Sequence, residues 1–218
     1  MDAATRIIAI RHGETAWNVD TRIQGQLDIP LNDAGRWQAS RAASRLAGED
    51  VQACYASDLS RAFATAEALA AELGLPVRPD RGLRERGFGT FQGLTWAEIE
   101  STLPDQARLW RTRDPQFAPA GGESLLTFRT RVLATVTRIA AAHTGQQIVL
   151  VAHGGVMDVL YRAATGQDLQ APRTWALGNA AINRLLWTPD PEHGGLSLVG
   201  WGDVSHLEAE DIRDESST

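Results

Sequence analysis

The strongest constraint on the fold is a pair of short apolar runs that each stop abruptly on a polar residue. Residues 5–10 end at Arg11, and residues 147–152 end at His153. Both runs are nearly continuous rather than alternating apolar with polar, which is the pattern of strands buried on both faces of a sheet. Around them lie stretches of helical length. Residues 34–48 follow two candidate caps, Asn32 and Asp33, while residues 59–73 open behind Asp58 and stop at Gly74, with Pro76 beyond. Residues 51–56 form a third short strand between those helices. Residues 123–143 place Leu126, Val132, Leu133, Val136, Ile139 and Ala140 at helical spacing and end near Gly145, and residues 156–164 form a helix behind the second strand. A last pair of strands, 181–187 and 196–201, is separated by a turn containing Pro189, Pro191, Gly194 and Gly195.

Strands alternating with helices predict an α/β fold, a three-layer α/β/α arrangement with a mostly parallel sheet and crossover helices on both faces. Ligands of such sheets bind beyond the carboxyl ends of the strands. Residues 86–122 interrupt the alternation with glycines and prolines around short helical pieces such as 96–102. They read as a short lid excursion over the sheet edge rather than as a second domain. The expected organisation is a single domain over 1–207 followed by a flexible acidic tail over 208–218.

Composition removes whole classes of function. All 21 basic residues are arginine; without lysine there is no Schiff-base amine, no pyridoxal phosphate attachment and no phosphate-loop lysine. A net charge of -6 leaves no basic footprint, so neither nucleic acid nor an anionic membrane is expected as a partner. Cys54 is the only cysteine, which excludes an internal disulfide and a cysteine-rich metal site and fits a reducing compartment. The apolar run near the N-terminus is too short for a signal sequence or a membrane span, so a cytoplasmic location is expected.

Three strand ends then deliver polar side chains to one face: Arg11-His12-Gly13-Glu14-Thr15, Ser57-Asp58-Leu59-Ser60-Arg61 and His153-Gly154-Gly155. A lone histidine after a strand is more often structural than catalytic. Two histidines beside two arginines shift that balance, because a planar guanidinium matches phosphate oxygens and helix N-termini add backbone N–H donors.

Five blocks occur in order along the chain. They are Arg11-His12-Gly13-Glu14-Thr15 with Trp17-Asn18; Gln24-Gly25 with Asp28 and Pro30-Leu31; Ser57-Asp58-Leu59-Ser60-Arg61-Ala62 with Thr65-Ala66; Leu83-Arg84-Glu85-Arg86 with Gly89; and His153-Gly154. With a weaker echo between Asn179 and Asn183, the series resembles the histidine phosphatase superfamily, in the branch of the cofactor-dependent phosphoglycerate mutases. The resemblance implies that His12 is the nucleophile that becomes phosphorylated and that Arg11, Arg61 and His153 bind the transferred phosphoryl group. It implies Glu85 as the general acid for the leaving oxygen and later the base for water. Asn18, Gln24, Gly25 and the Gly154 backbone N–H would complete the phosphate cradle. Arginines and a second imidazole stabilise phosphoryl transfer electrostatically, so neither a metal nor another cofactor is expected. Glu85 must be protonated when it donates, which asks for partial burial under the lid.

Simpler roles suit the remaining polar residues. Glu14 and Thr15 cap or brace their loop, with Thr15 near enough to His12 in sequence to support it. Asp58 caps a helix, and His143 suits the negative end of one. His193 and His206 lack any ligand spacing, and Cys54 is an inert interior thiol. Without the resemblance, Arg84-Glu85-Arg86 reads as a surface charge cluster.

The resembled family contains both mutases and hydrolases. Its mutases share a longer excursion with a lysine and paired arginines that hold a substrate carboxylate. Residues 86–122 are short, contain no adjacent arginines, and offer Trp96, Trp110, Arg108, Arg111 and Arg113 instead, while Gln92 stands where many phosphatase relatives carry glutamate. The expected function is a phosphatase acting on small phosphorylated metabolites through a phosphohistidine. The alternatives are a phosphoglycerate mutase and a non-catalytic phosphate-binding protein.

Overall fold

A computed structural model describes residues 4–189 and 195–208. Six strands form one sheet: β1 (Thr5–Arg11), β2 (Ala53–Ala56), β3 (Val77–Pro79), β4 (Gln147–Ala152), β5 (Ile182–Thr188) and β6 (Gly195–Asp203), in the order β3-β2-β4-β1-β5-β6. The first four positions in that order are parallel, and β5 and β6 close one edge antiparallel. Seven helices accompany them: α1 (Ala16–Val19), α2 (Asp33–Leu46), α3 (Ser60–Leu73), α4 (Trp96–Thr102), α5 (Pro104–Arg111), α6 (Leu125–Ala141) and α7 (Gly154–Thr165).

Strand alternation divides the core in two. Ile7, Ala9, Ile148 and Leu150 face α6 and α7 and pack on Phe128, Val132, Val136, Val156 and Leu160. Ile8, Ile10, Val149 and Val151 face α2 and α3 and pack on Ala42, Leu46, Ala66 and Leu69. This is the three-layer arrangement that the alternation of strands and helices predicts. Residues 86–122 contain α4 and α5 and hold a small apolar cluster of their own, Phe91, Ile99 and Ala107 flanked by Phe88, Trp110 and Phe117. Among the described residues no helix is long and apolar enough to cross a membrane.

Local details depart from the sequence reading for identifiable reasons. Asn32, not Asp33, caps α2, accepting from Gly35 N at 2.8 Å. Asp58 does not cap α3. Its carboxylate binds Arg84 at 2.6 and 2.7 Å and Arg81 at 3.3 Å, while Asp28 from a distant loop accepts the Ser60 N–H at 2.7 Å. The three-residue β3 and the helices α1 and α5 are absent from that reading. β3 exists through parallel pairing with β2 and has no strand-length pattern of its own, and α1 is a single turn closed by a Thr15/Asn18 capping box. Pro191, Gly194 and His193 of the expected turn lie outside the described residues, as does the acidic tail from residue 209 onward.

Strand register positions the polar residues. Arg11 pairs with Ala152, and Ala56 pairs with Val151, so β1, β4 and β2 run out at nearly one level. The residues that follow them, His12, His153 and Ser57, emerge side by side.

Candidate active site

His12 extends the β1 ladder by one step, its N–H donating to Ala152 O at 2.9 Å. Its ring is buried, and Nδ1 lies 2.7 Å from Gly13 O. A carbonyl can only accept, so Nδ1 carries the proton and Nε2 keeps its lone pair. The backbone is fixed on both sides, since Asn179 Nδ2 donates to His12 O at 2.9 Å and Gly13 N donates to Thr65 Oγ1 at 3.1 Å. Burial, then the charges of Arg11 and Arg61, push the His12 pKa well below its ordinary value of 6.5. At neutral pH the ring is uncharged and has a defined tautomer, with the Nε2 lone pair available.

His153 stands edge-on to it, with ring centroids 5.2 Å apart. His153 Nε2 lies 2.8 Å from Ser57 Oγ, which already accepts the Leu59 N–H at 3.3 Å. No other acceptor for the Ser57 hydroxyl proton occurs among the described residues. The hydroxyl therefore donates to Nε2, and the His153 proton resides on Nδ1, a buried atom with no protein partner. Burial first and Arg61 next hold the His153 pKa well below 6.5. In an NMR titration of ring-labelled protein, both histidines should remain neutral and Nδ1-protonated at pH 6.5; a midpoint at or above that value would contradict the assignment. These groups stay neutral when folded but take up protons near 6.5 when unfolded, so their contribution weakens as pH falls below that value.

Arg61 is fully buried, its terminal nitrogens donating to Gly25 O at 2.7 Å and Leu27 O at 2.8 Å. Burial lowers its pKa to about 10, which leaves it charged at neutral pH. Arg61 Nε, Arg11 Nε and one end of the Gln24 amide are buried without protein partners. The loop that holds Arg61 depends on Gly25, whose φ is +54° and where a Cβ would sit 2.3 Å from Gln92 Oε1. Gln92 accepts from Gln26 N at 2.9 Å and so braces this loop. Asn18 Oδ1 is occupied by Thr15 N and Thr15 Oγ1, which leaves its amide N–H groups as the donors it can offer. His12, Arg11, Asn18, Gln24, Gly25 and Arg61 all border one pocket of about 160 Å³, together with Glu85. His153 and Gly154 do not. His153 is buried beside His12, and Gly154 lies on an adjoining cavity, where a Cβ would be 3.4 Å from Arg11 Nε.

Glu85 stands where the two spaces meet. Its Oε1 accepts from Arg86 N at 2.8 Å and its Oε2 from Gly155 N at 2.9 Å, at the first turn of α7. Arg131 donates to the backbone carbonyls of Gly82, Arg84 and Glu85, so the segment bearing the carboxylate is clamped from behind. A Cβ at Gly155 would lie 2.1 Å from Glu85 Oε1, making this glycine as much a part of the site as the carboxylate it admits. Gly155 and Ser57 are the site residues that sequence reasoning left unassigned. Both stand inside the strand-end segments, yet their partners are distant in sequence.

The surface-cluster reading of Arg84-Glu85-Arg86 does not survive the geometry. Arg84 is bound to Asp58, and Arg86 is buried over the Trp110 ring, donating to Glu123 O and Phe117 O at 2.8 and 2.9 Å. Glu14 braces its loop by accepting from Asn32 at 2.8 Å, and Thr15 is the cap of α1. His143 lies between Tyr55 OH and Gln146, and it has no contact with the site.

Arg11, Glu85 and Phe88 also border the adjoining cavity, which measures about 860 Å³. The excursion contributes Trp96, Trp110, Arg111 and Arg113 to its wall, and α7 contributes Asp158, with Arg173 and Trp175 coming from the segment after it. Arg108, grouped with the excursion arginines in the sequence, is exposed and absent from this wall. The arrangement suits a phosphoryl group held beside the His12 lone pair, with the group it leaves lying in the larger space.

The sequence model of the histidine phosphatase superfamily (branch 1) matches residues 7–204. Phosphoglycerate mutase-like protein 4 of Arabidopsis thaliana is 42% identical over 211 residues, covering 93% of this chain and 86% of that protein. A metal-independent phosphoserine phosphatase of the same plant is 36% identical over 206 residues, covering 93% and 83%. Among solved structures, a mycobacterial glucosyl-3-phosphoglycerate phosphatase complexed with VO3 superposes with a TM-score of 0.80 at 37% identity, covering 90% of this chain and 98% of that one.

Proposed function

This chain belongs to the histidine phosphatase superfamily, branch 1, and on that premise we propose that it is a phosphatase that hydrolyses small phosphomonoesters through a phosphohistidine. The observation that carries the reading is the His12 ring, neutral, with Nδ1 tied to Gly13 O and Nε2 free to attack. In the first step Nε2 forms the bond to phosphorus as the ester P–O bond breaks, and Glu85 gives a proton to the departing oxygen. In the second step Glu85 takes a proton from water, whose oxygen attacks phosphorus, and the P–N bond breaks to release phosphate and restore His12. Arg11, Arg61 and the His153 Nδ1–H stabilise the charge spread over the transferring oxygens, and Asn18, Gln24, Gly25 and Gly154 shape the surroundings. Residues 1–207 act as one catalytic domain in this reading, and the single cysteine supports a cytoplasmic setting.

Free phosphate released from p-nitrophenyl phosphate and from a panel of phosphorylated metabolites tests the proposal. Hydrolysis supports it. Isomerisation of 3-phosphoglycerate without net phosphate release would favour a mutase, and binding without either reaction would favour a phosphate-binding protein. Because arginine side chains supply the positive charge, turnover in EDTA should stay within about twofold of the untreated rate. Loss of activity that magnesium or zinc restored would overturn the metal-independent mechanism.

A further inference from the structure

The larger cavity holds a cation that the phosphoryl site does not account for. Five arginines border it against two carboxylates, Glu85 and Asp158. Four of the five are engaged. Arg111 pairs with Glu100, Arg113 with Asp158 at 2.9 Å, Arg86 with two backbone carbonyls, and Arg11 with Leu177 O in the neighbourhood of Glu85. Arg173 forms no hydrogen bond or ion pair among the described residues. Burial is the main cause that lowers the pKa of Arg11 and of Arg113, and Arg173 stands near enough to both to add like-charge repulsion.

The segment that bears Arg173 is held in place on both sides. Before it, Arg162 binds the carbonyls of Asp168 and Ala171, and Arg113 binds that of Leu169 at 2.6 Å; after it, Trp201 Nε1 binds Ala176 O at 2.9 Å and Arg11 binds Leu177 O. Two residues on, Trp175 is stacked on Tyr161 with Arg162 over its ring, and it borders the same cavity. Arg173 is exposed, and its uncompensated guanidinium is carried on a backbone anchored by five hydrogen bonds, so a ligand finds the base of the side chain fixed and orders only the side chain itself.

We propose that Arg173 is a specificity-determining residue that binds a second anionic group, a carboxylate or a second phosphate, on the leaving portion of the substrate. Arg173 borders the larger cavity and not the smaller pocket beside His12, so it distinguishes phosphomonoesters by what they carry beyond the reacting phosphoryl group. This inference rests on the phosphatase reading for its language of leaving groups, but its test does not require turnover.

The test compares three ligands on the His12→Ala protein by calorimetry, with and without Arg173→Ala: 2-hydroxyethyl phosphate, 2-phosphoglycolate and ethylene bisphosphate. The parent should prefer one of the two doubly anionic ligands, and which of them it prefers identifies the second group. Arg173→Ala should weaken that ligand roughly tenfold or more, the size of one charge-assisted hydrogen bond, and change 2-hydroxyethyl phosphate by no more than about twofold. Arg173→Lys should recover part of the loss. Equal affinity of the parent for all three ligands, the absence of binding, or an equal loss for all three in the variant would overturn the inference. Absence of phosphate release by the unsubstituted protein would instead defeat the phosphatase reading while leaving the binding comparison intact.

Discussion

Replacing His12 by alanine should abolish the acid-labile phosphoenzyme and reduce hydrolysis by at least about a thousandfold, the scale on which enzymes lose rate when a nucleophile is removed. The effect should be confined to chemistry. The His12 backbone bonds to Ala152 and Asn179 do not involve the imidazole, and the Gly13 bond to Thr65 is untouched by the change. Brief reaction with a labelled substrate followed by quenching at alkaline pH would trap the phosphohistidine in the parent and leave the variant unlabelled, while thermal melting checks that the variant is folded. A variant that turned over at near the parent rate would sink the proposed mechanism.

The second large effect falls on Glu85 and depends on the substrate. Glu85→Gln keeps the size of the side chain but removes the exchangeable proton, and one of its ends can still accept from Gly155 N or Arg86 N. Alkyl phosphates, whose alkoxides leave poorly, should slow by about a hundredfold or more. Aryl phosphates with acidic leaving groups depart without a proton and should slow about tenfold less than the alkyl series. Some loss on both is expected because the same carboxylate activates water in the second step. Equal slowing of both classes would assign Glu85 to dephosphorylation alone, and no slowing of either would remove it from the proton transfers.

Why the two histidines were legible in the sequence and several partners were not follows from how each position is specified. A strand buried on both faces has to be apolar, so the first polar residue after it marks the strand end, and Arg11-His12 and His153 announce themselves in that way. The three-layer fold was legible for the same reason, because residues 5–10, 51–56 and 147–152 alternate with amphipathic stretches of helical length. Asp58 was misassigned because a carboxylate just before a helix satisfies the local rule for a cap, whereas its actual partner, Arg84, is near only in three dimensions. Ser57 and Gly155 were hidden likewise. A serine that sets an imidazole tautomer and a glycine that leaves room for a carboxylate act through contacts to His153 and Glu85 that no local pattern encodes. Gly25 was legible through the resemblance, but the reason it is glycine was not, since its positive φ and the closeness of Gln92 appear only in the folded loop that holds Arg61.

The level ending of β1 and β4 also sets the order in which this protein can become functional. Arg11 and His12 leave the ribosome with the first strand, whereas His153 arrives on a strand made after every residue of the excursion and of α6, and the two meet only through the pairing of Arg11 with Ala152. Closing so long a loop is an entropically costly, slow event. His12 has no imidazole beside it until β4 docks between β1 and β2. A nascent or truncated chain that stops short of β4 can therefore build α2 and α3 yet cannot assemble the pair of imidazoles. Regain of activity during refolding becomes a direct clock for central strand closure, running behind any probe that reports helix formation alone.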